Sequence, residues 1–157
     1  SDIVLFFLII ISGGIMLKRI LIFGLLISLS ACTSIQVNNT QGFQTKNIKH
    51  ICIVKNAKVT IGDFENMIVR SLARYNIRAE VYPEQSKPLF CDVTMTYTAL
   101  RSWDMTTYLS SAKFVLYQHN QQVSEATFHL KGKGGLALNK WRSTETKVNE
   151  LVDELLK

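Results

Sequence analysis

The sequence predicts an α+β domain, a two-layer sandwich in the order β-α-β-β-β-β-α. Two helices would cover one face of a mostly antiparallel sheet. Three observations predict it. Ile51-Cys52-Ile53-Val54 is a short β-branched run, apolar on both faces, as an interior strand is. From Cys91 to Ala99 apolar and polar residues alternate without a break, the pattern of a sheet with one wet face. Ile61, Phe64, Ile68, Leu72 and Tyr75 recur every three or four residues, and so do Val148, Leu151, Val152, Leu155 and Leu156. That spacing puts each set on one stripe of a helix.

Taken in order, the first strand spans 48–55 and the first helix 60–75. Thr60 is placed to cap its first turn, Asp63 and Glu65 complement the positive end of its dipole, and Asn76 suits a left-handed stop. Ile77 to Tyr82 alternates and ends at Pro83, so strand, helix and strand follow one another within 35 residues as a crossover between parallel strands. Cys91, Val93, Met95, Tyr97 and Ala99 should face the core, with Asp92, Thr94, Thr96 and Thr98 facing out. Arg101-Ser102-Trp103-Asp104-Met105 breaks the alternation and reads as a turn or bulge. Thr107 to Tyr117 and Val123 to Leu130 complete a meander around a His119-Asn120-Gln121-Gln122 hairpin loop, with Ala112, Phe114, Leu116, Ala126, Phe128 and Leu130 inward. Gly132, Gly134 and Gly135 let the chain leave the sheet, and Ser143 or Thr144 caps the last helix.

Upstream of this domain, Lys18-Arg19 precede an apolar run from Ile20 to Ile27 and then Leu29-Ser30-Ala31-Cys32. Cations, an apolar stretch and small residues make a secretory signal. Leu-Ser-Ala-Cys resembles the lipobox of bacterial lipoproteins. The resemblance implies that Cys32 takes a diacylglycerol on sulfur, that the leader is removed and that the new amino group is acylated. Residues 1–15 read as upstream translation, with Met16 the expected start and 16–31 the signal peptide. Ile3 to Ile15 is too short to span a bilayer, which takes about 20 apolar residues. Residues 32–46, rich in Asn, Gln and Thr, read as the lipidated cysteine and a flexible tether, and 47–157 as a single domain. Thr33, following the lipidated cysteine, resembles the outer-membrane sorting pattern. The expected location is the periplasmic side of the bacterial outer membrane.

Cleavage before Cys32 leaves 126 residues, one ordinary domain, with 16 cations against 11 acids. The cations are scattered, without the aromatic-laced basic stripe of a nucleic-acid groove, so no nucleic acid is expected as a partner. Lipidation leaves Cys52 and Cys91, and an oxidising compartment lets them pair; the alternative is two buried free thiols. A bridge would need both on one face, which would put the first strand beside the third.

No reactive constellation appears. Gly132-Lys133-Gly134-Gly135 lacks the Gly-Lys-Ser/Thr spacing of a phosphate loop. His50, His119 and His129 have no metal-ligand spacing around them, so no metal and no cofactor is expected. No serine or cysteine sits in a nucleophile's setting. The protein reads as a non-enzyme. An envelope hydrolase would have to gather Asp92, Asp104 or a histidine in one cleft, within hydrogen-bond reach of one another. The candidates for recognition are aromatic residues beside charges at element ends: Trp103, Asp104 and Tyr108, and Lys140 and Trp141. Their alternative role is to close the ends of a small core.

Several motifs occur together here: an Ile-Cys-Ile-Val strand with Cys52, Cys91 with Thr96-Tyr97-Thr98-Ala99, Trp103-Asp104 with Tyr108, and Gly134-Gly135-Leu136, Leu138, Lys140-Trp141, Ser143-Thr144-Glu145. With the lipobox they resemble a family of small lipoproteins of Gram-negative bacteria that has no established activity. The resemblance implies a fold and a location but no reaction. It leaves a binding or scaffold module as the first reading. The second is an accessory subunit of an outer-membrane transport or assembly machine, contacting an envelope protein or lipopolysaccharide.

Overall fold

The computed structural model describes residues 33–86, 88–130 and 138–157. The expected leader, Cys32 and the Gly132–Gly135 stretch lie outside the described residues. The strands are β1 (Thr33–Asn39), β2 (His50–Val54), β3 (Arg78–Tyr82), β4 (Val93–Asp104), β5 (Thr106–Gln118) and β6 (Gln121–Leu130); the helices are α1 (Phe64–Ala73) and α2 (Thr144–Leu155). The strands form one six-stranded sheet in the order β1-β6-β5-β4-β2-β3. The β2–β3 and β2–β4 pairs are parallel and the rest antiparallel. Among the described residues no helix is long and apolar enough to cross a membrane.

The expected α+β sandwich is present. Both helices contribute to one core, with Phe64, Ile68 and Leu72 from α1 and Val148, Leu151, Val152 and Leu155 from α2. These pack on Ile51, Ile53, Met95, Phe114, Ala126 and Phe128 of the sheet. Such burial gives each large apolar side chain about 1.5–3 kcal/mol relative to exposure. At the start of α1, Phe64 meets Tyr97 and Phe114 with ring centroids 5.7 and 6.2 Å away.

Three expectations are corrected. The polar stretch 33–46 is no free tether: β1 occupies its first half and pairs with β6 in register from Thr33↔Leu130 to Asn39↔Ser124. Ile35 and Val37 pack against the core while Gln36 and Asn38 alternate with them. Two apolar residues among polar ones suffice at an edge, where half of the strand's surroundings stay wet. Backbone and side-chain bonds then hold the rest, Thr40 N–H to the Val123 carbonyl at 2.9 Å and the Thr45 hydroxyl to the Leu156 carbonyl at 2.7 Å. The sheet is accordingly joined from Thr33 onward, well before the expected boundary at 47.

Second, α1 starts at Phe64 and Thr60 does not cap it. The Thr60 carbonyl accepts from Arg101 Nη2 at 3.2 Å, and Asp63, in the left-handed region at φ 61°, is the residue that turns into the helix. Third, Cys91 does not share the core face of Val93 and Met95. β4 begins only at Val93, so the chain before it is free of the strand's alternation. Cys52 and Cys91 are bridged, with Cα atoms 5.9 Å apart, but on the face away from the helices, because Ile51 and Ile53 on either side of Cys52 point into the core. The stretch carrying Cys91 folds across that face, Phe90 stacking on His50 at 5.9 Å, and Cys52 is wholly buried. The first expected strand does lie beside the third, as β2 beside β4.

The turn or bulge expected at 101–105 is present in both forms, and the strand runs on through it. A bulge between Leu100 and Arg101 offsets the register, and the β4–β5 hairpin continues to Asp104↔Thr106 around Met105, whose φ is 59°. The β5–β6 connection tightens to His119 and Asn120 alone, with φ of 51° and 62°. Two successive positive φ values match the right-handed twist of the flanking strands.

Candidate functional site

The sheet topology brings the aromatic candidates to one end of the molecule. The β4–β5 hairpin carries Trp103, Asp104 and Tyr108, and a 3-10 turn, Leu138–Trp141, leads into α2 beside it. Lys140 forms an ion pair with Asp104 and stands over two rings, its Nζ 4.8 Å from the Tyr108 centroid and 5.1 Å from that of Trp141. Tyr108 and Trp141 meet edge to face at 6.2 Å. Four of the five candidates are therefore in one cluster. The Lys140 side chain is buried by its neighbours, and a desolvated ammonium over aromatic faces is worth more than an exposed one. Trp103 sits at the hairpin tip, 74 % exposed.

Beneath the cluster lies Lys147, only 1 % exposed, on α2. Its Nζ donates to the Leu109 and Lys140 carbonyls at 3.1 Å each and lies 5.4 Å from the Phe128 centroid. Burial holds its ammonium below the usual lysine range; Arg142 adds to the effect and Glu150 opposes it. Lys147 thereby pins the hairpin and the 3-10 turn to α2. No signal along the chain points to this role, since a lysine beside an apolar helical stripe reads as solvated. Ser143, as expected, caps α2, its Oγ accepting from Thr146 N–H at 3.0 Å.

Two apolar residues missed from sequence join the exposed tip: Leu100 at 65 % and Met105 at 85 %. Leu100 carried a signal, an apolar residue on the parity of Thr94, Thr96 and Thr98. Met105 carried none, because only the hairpin geometry makes it the turn.

The remaining titratable groups do not converge with this cluster. Asp92 precedes the first residue of β4 and Asp104 is its last, so about 35–40 Å of strand separates them. Asp92 shares an open cleft of about 490 Å³ with His50, His119 and Phe43. The His50 ring is engaged with Glu80 at 3.3 Å. Glu80 also accepts from Tyr82 Oη and Arg78 Nη2, each at 2.5 Å, and these bonds hold its carboxyl down at about 2. A second open cleft, by Asn56 and Lys58, is walled by Tyr97, whose hydroxyl donates to Glu65 at 2.7 Å; burial first, then that bond, push it up to about 12. Among the described residues no group of three His, Cys, Asp or Glu is placed to hold a metal ion.

No family model matches the chain, and no curated protein matches it. Two solved PelC structures share its fold, and a third structure superposes more loosely. A dodecamer of a PelC variant from Paraburkholderia phytofirmans superposes with a TM-score of 0.55 at 13 % identity, covering 79 % of this chain and 98 % of that one. A second PelC dodecamer crystal from the same organism gives 0.52 at 11 % identity, covering 79 % and 94 %. A DUF4136 family protein from Bacteroides thetaiotaomicron gives 0.47 at 9 % identity, covering 77 % and 92 %. Identities this low establish likeness of architecture alone.

Proposed function

We propose that the protein is a lipid-anchored module of the bacterial envelope, facing the periplasm from the outer membrane, that binds or scaffolds a partner and catalyses no reaction. The observation that carries this reading is Lys18-Arg19, the apolar run to Ile27 and Leu29-Ser30-Ala31-Cys32, with the sheet beginning at the very next residue, Thr33. A domain that starts one peptide bond after a lipobox cysteine suits a mature chain whose first residue is that cysteine. Three acyl chains, at about 0.8 kcal/mol per buried methylene, exceed the two-signal threshold for stable attachment. The Cys52–Cys91 bridge fits an oxidising compartment. The aromatic and charged end supplies the recognition surface, through Trp103, Asp104, Tyr108, Lys140 and Trp141.

Cys32→Ala in the producing cell tests the anchor. The variant should keep its leader and acquire no lipid. Recovery of a diacylglyceryl-modified peptide from the unaltered protein supports the reading, and an unmodified Cys32 thiol on a chain still carrying residues 16–31 overturns it. A second reading, an accessory subunit of a transport or assembly machine, draws on the fold likeness to a PelC dodecamer. Native mass spectrometry of the detergent-solubilised protein separates the two, since a ring-forming subunit gives a closed oligomer and a free-standing module a monomer.

A further inference from the structure

We propose that the β4–β5 hairpin tip and the Lys140–Trp141 turn lie on the lipid interface beside the anchor, so that the membrane fixes the domain's orientation as well as its location. The inference rests on lipidation at Cys32. It follows from the level at which the anchored end of the chain enters the sheet. Thr33 pairs with Leu130, one residue beyond His129; His129 pairs with Ser111, and Ser111 with Leu100. The residue bonded to Cys32 therefore stands one residue past the level of Leu100, three strands away at the same end of the sheet. Ser102 to Asp104 run on past that level, and three residues of strand add about 10 Å. The hairpin projects from the end of the domain that the lipid would hold against the bilayer.

The projecting surface has the composition such a place favours. Leu100, Trp103, Met105 and Trp141 are 65, 74, 85 and 46 % exposed, and they are four of the seven large apolar residues so exposed among the described residues. Tryptophan prefers the headgroup level, with its ring in the apolar part and its N–H in the wet part. Arg101 is exposed beside them, and Arg142 follows Trp141. Asp104, the acid at the tip, is paired with Lys140, so the edge presents no unpaired carboxylate there to anionic lipid. Leu89 and Phe90 are also exposed, but they precede β4 at the opposite end of the sheet and serve as the internal control.

The chain holds two tryptophans, and both belong to this edge, so the protein's indole emission reports on nothing else. The lipidated protein is reconstituted into phosphatidylethanolamine–phosphatidylglycerol vesicles whose acyl chains are brominated near the headgroup. Emission should shift to the blue and be quenched about two-fold or more, for rings seated about 5–10 Å deep. A Trp103→Ser, Met105→Ser variant should still float with the vesicles while the quenching of the remaining Trp141 falls, and Leu89→Ser should be quenched like the unaltered protein. Full flotation with unshifted, unquenched emission overturns the proposal. A blue shift without bromine quenching overturns it too, and points to a second copy or another protein on the edge. Failure to float at all overturns the lipidation on which the proposal rests.

Discussion

The Cys52–Cys91 bridge closes a loop of 39 residues that holds the second half of β2 and all of α1 and β3. Without it, the unfolded chain regains the freedom of that loop. For a closure of this length the entropy at stake is about 13 cal/mol/K, or about 3.9 kcal/mol at 25 °C. Replacing both cysteines with alanine avoids a stray thiol and adds a small loss at Cys52, which is wholly buried. The expected destabilisation is about 4–5 kcal/mol. In a domain of this size that lowers the melting temperature by roughly 15 °C. Urea unfolding of the oxidised protein, the reduced protein and the Cys52→Ala, Cys91→Ala variant measures it. Reduced and variant proteins should fall together, the difference between them reporting the sulfur contacts alone. A loss under about 1 kcal/mol would refute the reasoning, because the crossover would then have to be ordered already in the unfolded chain.

Phe64→Ala removes the ring that joins α1 to Tyr97 and Phe114, and should cost about 3–5 kcal/mol of unfolding free energy in urea. A loss below about 1 kcal/mol would mean that the site collapses around the gap. Glu80 supplies an acid-side prediction. Its carboxyl titrates at about 2 in the folded protein against an ordinary 4.5, so between these values the unfolded chain binds a proton that the folded chain refuses. Its stabilisation is complete above about pH 5 and lost as pH falls toward about 2. Melting temperatures of the protein and of Glu80→Gln should converge over that window; parallel curves would contradict the assignment.

Legibility differed from element to element for physical reasons. The alternation at Val93, Met95, Tyr97 and Ala99, with its partner rows at Phe114 and Phe128, was readable because a half-buried sheet imposes period two on whatever residues fill it. β1 was not, because an edge strand needs only Ile35 and Val37 to dock, and two residues carry little period. The paired cysteines were readable, but their face was not, since the alternation that includes Cys91 in sequence is a strand only from Val93 onward. Of the recognition candidates, Trp103, Tyr108 and Trp141 announced themselves by type. Their grouping around Lys140 depended on a bulge at Leu100 and a positive φ at Met105.

By itself the sequence determined which residues are sticky and at what period: two amphipathic helices and a core-facing row on each long strand. Those are properties of neighbours in the chain, written in the spacing of apolar residues. Only the tertiary structure decided that Thr33 enters the sheet one residue past the level of Leu100, that Lys147 is buried beneath the hairpin, and that Asp92 and Asp104 stand far apart. Each of these depends on strand register and on contacts across long stretches of sequence, which residue spacing along the chain does not encode.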